Sequence, residues 1–258
     1  MASLSTYLRQ TPATAASSAA GPSSITPALG VASQAGDTLL LAVVNTNTGG
    51  TITTPAGWTA IQSNVGPTGL DVGLFLLPGI QNPGITSVVV ALGGTLGGAV
   101  AALFDFVGAA PIGLDATATQ SATSNSYANL ALAATAQYTQ LLFYVCGFAA
   151  ATLTPSNSAD WSGAVGTAVS TTGAPNAQIA CFFQITPDDP VPTIGGGLSA
   201  SVVNQQDIAR FNIPGSQVDT VGPGGATFVG TNNNPAGSLQ VPQPIAPGNF
   251  FSGTTGSF

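Results

Sequence analysis

From Gly36 onward, apolar residues come in short runs broken by Gly, Pro, Asn and Asp. The runs predict strands near 38–45 (TLLLAVVN), 58–64, 70–77 (LDVGLFLL), 86–92 (TSVVVAL) and 99–107 (AVAALFDFV). Further strands are predicted near 127–134 (YANLALAA), 140–149 (QLLFYVCGFA), 164–171, 178–186 (QIACFFQIT), 199–204 and 207–213. In DIARFNI, Ile208, Arg210 and Asn212 share one face, and Asp207, Ala209, Phe211 and Ile213 the other. LLFYVCGF is apolar on both faces, which places it centrally with both sides covered. No segment carries a long helical period, and the Ala-rich stretch 128–137 is the single helix candidate. The pattern predicts an all-β chain, an antiparallel and jelly-roll-like β-sandwich with extended terminal arms.

The chain divides into three regions. Residues 1–35 are an Ala/Ser/Thr/Pro arm, 36–213 the sandwich, and 214–258 a Gly/Pro/Asn-rich C-terminal arm. The C-terminal arm still carries isolated hydrophobes. Phe228, Leu239, Phe250, Phe251 and Phe258 are too many apolar side chains for a flexible linker and read as assembly anchors.

Composition narrows the chemistry. Of 258 residues, 44% are apolar and only 4% charged, where a soluble domain ordinarily has about 25% charged residues. There are nine Asp and two Arg (Arg9 and Arg210), with no Lys, Glu or His. Without His there is no Ser-His-Asp or Cys-His machinery and no imidazole metal ligand. Without Lys there is no Schiff base and no P-loop lysine, and Asp alone remains for carboxylate chemistry. A net charge of −7 with two cations cannot neutralise a phosphate backbone, so nucleic acid is not an expected partner. Basic membrane anchoring fails for the same reason.

Cys146 and Cys181 lie in apolar runs and read as buried thiols, with a disulfide as the alternative if the two runs pair. The N-terminus has no apolar run of signal-peptide length. The segment 85–104 has the hydropathy of a membrane span, but two Gly-Gly pairs split it and a hairpin fits the pattern better.

The stretch Thr54-Pro55-Ala56-Gly57-Trp58-Thr59 places a large ring directly behind a turn. It stands within an ordered series: AGDTLLLAVVNTNTGGTITTPAGWTAI, then DVGLFLLPGI, TSVVVAL and AALFDFVGAAPIGLDATATQSATS. This series resembles a β-sandwich module of tailed-phage virion proteins, also present in some bacterial surface proteins. The matching positions are Gly36–Asp37, Thr54–Pro55–Gly57–Trp58, Leu74–Leu77, and Phe104–Gly108 with Pro111 and Asp115, across roughly residues 35–210. At Leu77–Pro78 the chain departs from the module, which commonly has a Lys there. The resemblance implies that the turn closes one end of the sandwich with Trp58 packed beneath the next strand.

Acidic residues supply the candidate sites. Asp188–Asp189 form a candidate Ca²⁺ site, set against an ordinary solvated turn. Asp105 and Asp115 form a candidate glycosidase pair, disfavoured by the lack of Glu and of a nearby aromatic cluster. Asp160 and Trp161 form the candidate ligand-binding site, a ring beside a carboxylate suited to stacking on a sugar, set against a ring that caps a strand. No catalytic, cofactor or metal residue is assigned. Two functions are expected from this reading. One is a non-enzymatic phage virion protein, a capsid decoration, head-fibre or tail-associated subunit. It would bind copies of itself, as a trimer or other homo-oligomer, and other virion proteins. The alternative is a carbohydrate-binding adhesin domain on a fibre or cell surface, with a host glycan as partner.

Overall fold

Two runs without alternation, TLLLAVVN and AVAALFDF, are buried at every position and form β3 (Thr38–Asn45) and β8 (Ala99–Phe106). A strand apolar on both sides needs a layer above and below it, and the chain supplies both. The computed structural model describes residues 8–65, 69–80, 83–107, 113–127, 130–132, 138–149, 151–155, 161, 165–170, 176–186, 194–220 and 227–231. The described residues contain strands and no helix. The chain divides into two compact units, Met1–Pro214 and Gly215–Phe258.

In the first unit, β1 (Ala13–Ala16), β8, β3, β6 (Asp71–Leu77) and β5 (Thr59–Val65) make an antiparallel sheet in that order. A second antiparallel sheet is built from β9 (Gly113–Tyr127), β10 (Tyr138–Ala149), β11 (Leu153–Pro155), β12 (Val165–Val169), β13 (Ala177–Thr186) and β14 (Gly196–Thr220). In it β14 lies between β9 and β10, β13 follows β10, and β12 closes the far edge. A small third sheet joins β2 (Ser24–Ile25), β7 (Val90–Thr95) and β4 (Thr48–Ile52).

Side-chain parity assigns the layers. The even positions of β3, β6 and β8 (Leu40, Val44, Leu74, Phe104) meet Phe143, Val145, Ile179, Phe183 and Phe211 in the core between the two large sheets. The odd positions (Leu39, Leu41, Phe75, Leu103) meet Ile25, Val88, Val90 and Leu92 of the covering segment. The outer face of the second sheet packs Tyr127, Tyr144, Cys146, Phe182, Ile194 and Ile208. Gly147 marks a close approach of the large sheets. A Cβ there would stand 2.6 Å from Val72 Cγ2 and 2.8 Å from Val44 Cγ2.

The all-β sandwich is as expected. Strands up to Phe106 build the first and third sheets and strands from Gly113 build the second, and within each large sheet most neighbours are not consecutive in the chain. The N-terminal segment 1–35, read as an arm, is from Leu8 onward part of the fold. Leu8 bridges Phe106, β1 borders β8, and β2 borders β7. The strand expected at 127–134 is instead β9, ending at Tyr127, with Leu130–Leu132 in irregular structure. The strands expected at 199–204 and 207–213 are one continuous strand, β14. The hydropathic segment 85–104 holds β7, a Gly-rich turn and the start of β8, and no described helix is long and apolar enough to cross a membrane.

The runs carrying the cysteines do pair, Cys146 opposite Ala180 and Val145 opposite Cys181. That one-residue offset sends the two thiols to opposite faces of the sheet. Both are free and buried, and burial pushes both thiols well above their usual pKa. In the second unit, Ser216–Thr220 at the end of β14 pairs with β15 (Thr227–Thr231), which sets Asp219 opposite Phe228.

Candidate functional site

The polar residues of the first unit gather in three places. At one end of the first sheet, Asp37 precedes β3 and Asp105 lies at the end of β8, with Arg9 reaching both from the N-terminal segment. The guanidinium holds Asp37 through Nε to Oδ2 at 2.6 Å and Nη2 to Oδ1 at 2.5 Å, while Asp105 Oδ2 lies 3.8 Å from Nε. This two-pronged grip suits a planar fork against a carboxylate. Gln10 adds a clasp: its Nε2 donates to Asp105 Oδ2 and to the Val31 carbonyl, and its Oε1 accepts from Val31 N–H. The Gln34 N–H donates to Asp37.

The two carboxyls share one cation and separate in acidity. Burial would raise Asp37, but the Arg9 hydrogen bond, the Gln34 N–H and the Arg9 charge together hold it below the usual carboxylate range. Burial pushes Asp105 up to about 6, against the Gln10 hydrogen bond and with help from the neighbouring Asp37 charge. Asp105 Oδ1 has no hydrogen-bond partner among the described residues.

A second cluster lines β14. Asn204, Gln205, Gln206, Asp207 and Arg210 are all buried. Tyr144 donates to Gln206 Oε1 at 3.0 Å, and Gln206 Nε2 donates to Asn204 Oδ1 at 2.8 Å. Asn204 Nδ2 donates in turn to Ser124 Oγ of β9. Arg210 pairs with Asp115 of β9, Nη2 to Oδ2 at 2.5 Å and Nε to Oδ2 at 2.7 Å. The third cluster closes the other end of the first sheet. Asn45 Nδ2 and Asn47 Nδ2 both donate to the Gly93 carbonyl, and the Asn47 N–H donates to Asn45 Oδ1. These bonds tie β3 to β7, and Asn45 Nδ2 also donates to the Thr51 carbonyl of β4.

The three clusters tie strands and segments of the first unit together. Both cations of the chain are committed to carboxylates inside the first unit. Asp105 and Asp115, the candidate glycosidase pair, are bound into separate clusters with different arginines. No group of three or more metal-ligating side chains occurs among the described residues. Ser17, Ser24 and Thr26 border a shallow open depression with no titratable lining residue.

Trp161 is 5% exposed and packs in the outer cluster of the second sheet, so its ring is part of a core and presents no stacking platform to a sugar. Its partner in that reading, Asp160, lies outside the described residues, as do Asp188 and Asp189. Trp58 stands behind a turn in which its N–H bonds to the Pro55 carbonyl at 3.1 Å and Gly57 takes φ 83°. Its half-buried ring packs against the core beneath the third sheet. Among the assembly anchors, Phe228 lies in β15, and Leu239, Phe250, Phe251 and Phe258 lie outside the described residues. Comparison with family models, curated proteins and solved structures finds no match to this chain.

Sequence reasoning misses the Arg9–Asp37–Asp105 clasp, because Arg9 stands in a segment that reads as an arm. It also misses β9. The signal is present in TATQSATSN, where Thr117, Thr119, Ser121, Thr123 and Asn125 alternate with Ala118, Gln120, Ala122 and Ser124, but hydropathy alone does not register a polar strand.

Proposed function

We propose that this protein is a non-enzymatic structural subunit of a tailed-phage virion, serving as a capsid decoration, head-fibre or tail-associated component that binds copies of itself and docks on other virion proteins through its C-terminal segment. The observation that carries this reading is the fate of the charges. Both arginines are spent on internal ion pairs, and the exposed strand positions are mainly Ser, Thr, Ala, Gln and Gly. Such a surface suits packing between subunits more than turnover or steering of a charged ligand. The ordered motifs from Gly36 to Asp115 support the virion setting by their resemblance to the phage module. The burial of Trp161 favours this reading over the carbohydrate-binding alternative.

The test is mass and stoichiometry on purified particles of a phage that encodes the chain. Many copies per particle, in a number matching one symmetry class of the head or tail, are expected. A particle preparation free of the chain would refute the virion assignment.

A further inference from the structure

The edges of the two large sheets are unequal. The first sheet ends on β1, of 4 residues, and on β5, of 7 residues with a register shift. The second sheet ends on one side at β12, of 5 residues with a register shift. Short or irregular strands are the usual means of keeping an edge from pairing with another chain. The remaining edge, β9, has 15 residues. Among the described residues it pairs with β14 alone, and every position from Gly113 to Ser126 is exposed or half-exposed.

Its ladder with β14 shifts register near both ends, between Gly197 and Val202 and between Arg210 and Phe211, but the stretch between those shifts carries none of the customary protections. Residues 113–127 contain no Pro and no Lys, and their single charge, Asp115, is neutralised by Arg210. The pairing with β14 runs without a shift from Ala116↔Arg210 to Ser124↔Val202, so this stretch is straight ladder. A long, regular, uncharged edge is a template for strand addition.

The sequence of that stretch also says what fits it. Its midpoint is Gln120, and an antiparallel pair about a two-fold axis there sets residue against residue in a matched series. Thr117 faces Thr123 and Thr119 faces Ser121, while on the other face Ala118 faces Ala122 and Ala116 faces Ser124. Asp115 faces Asn125, so no like charges meet. Thr–Thr and Thr–Ser neighbours across a ladder are favourable, and an isologous contact repeats each pair twice.

We propose that β9 is a self-association edge, at which two copies of this chain pair β9 to β9, antiparallel and centred on Gln120, so that the second sheet continues from one subunit into the next. This rests on the self-associating part of the function proposed above but not on the virion setting, and it names a contact separate from the C-terminal segment.

The test is hydrogen–deuterium exchange of residues 116–124 in the full-length chain, from low to high micromolar concentration, in three forms. In the unaltered protein, the alternate amides of β9 that point away from β14 are expected to slow as concentration rises. The double substitution Thr117→Lys, Thr123→Lys sets like charges opposite each other at both ends of the ladder, and it should weaken this protection roughly tenfold. Both positions are exposed, so the fold is expected to survive, as an unchanged far-ultraviolet spectrum would show. Thr117→Lys with Thr123→Asp sets opposite charges across the same contacts and should restore the protection. Outward amides that exchange equally fast at all concentrations would overturn the proposal, as would protection indifferent to both substitutions. Association by sedimentation without any change in β9 exchange would also overturn it, and would leave self-association through the C-terminal segment standing.

Discussion

Arg9 holds two carboxylates of opposite tendency, and that makes the clasp a source of pH dependence. Asp37, held low by Arg9, contributes stability that is present above its unfolded pKa and lost on acidification. Asp105 has the opposite sign. Its folded pKa of about 6 lies above the unfolded value of about 3.9, so its contribution is full below that value and is lost as pH rises through 6. A displacement of about two pH units corresponds to about 2–3 kcal/mol as an upper bound. Asp105→Asn keeps an oxygen for the Gln10 amide and removes the buried charge. It is therefore expected to be neutral or stabilising at pH 7 and to flatten the fall in stability between about pH 4 and 6, measured by urea denaturation across that range. A substituted chain that keeps the slope would show that Asp105 is not its origin.

The outer face of the second sheet is closed by residues from the loops around it, and Trp161 is the largest of these plugs. Trp161→Ala should cost about 3–5 kcal/mol in thermal or denaturant unfolding, as for a buried aromatic. A ring displayed for sugar stacking would cost little, so a loss below about 1 kcal/mol would return the exposed-platform reading to consideration. The elements themselves are legible in the sequence to the degree that they are apolar. TLLLAVVN, AVAALFDF and QIACFFQIT announce central strands, because burial on both faces leaves a continuous apolar run. The unbroken run of β14 is less visible, since Asn204, Gln205, Gln206 and Asp207 interrupt its hydropathy while the network with Tyr144 and Ser124 ties Asn204 and Gln206 inside. β1 and β2 are hidden by the small residues that let an edge segment lie flat against β8 and β7. The Trp161 site is legible only as residue types; its burial depends on segments far apart in sequence, Tyr127, Ile194 and Leu198 among them.

For the whole molecule, a charge-poor sandwich supplies the body, and contacts between subunits supply the function proposed above. The unit Met1–Pro214 contains the two large sheets and the cores on either side of the first, and it should fold without residues 215–258. Those C-terminal residues carry Phe228, Leu239, Phe250, Phe251 and Phe258. Each apolar side chain buried at a contact contributes about 1.5–3 kcal/mol, so these anchors together can outweigh the entropy of ordering a Gly-rich segment. The direct measurement is sedimentation and particle binding of the chain truncated after Pro214, beside the full-length protein. A truncated chain with the same β-rich circular dichroism but no docking on the particle, and with weaker self-association, is the expected result; a truncated chain that assembles and docks as well as the full one would contradict it.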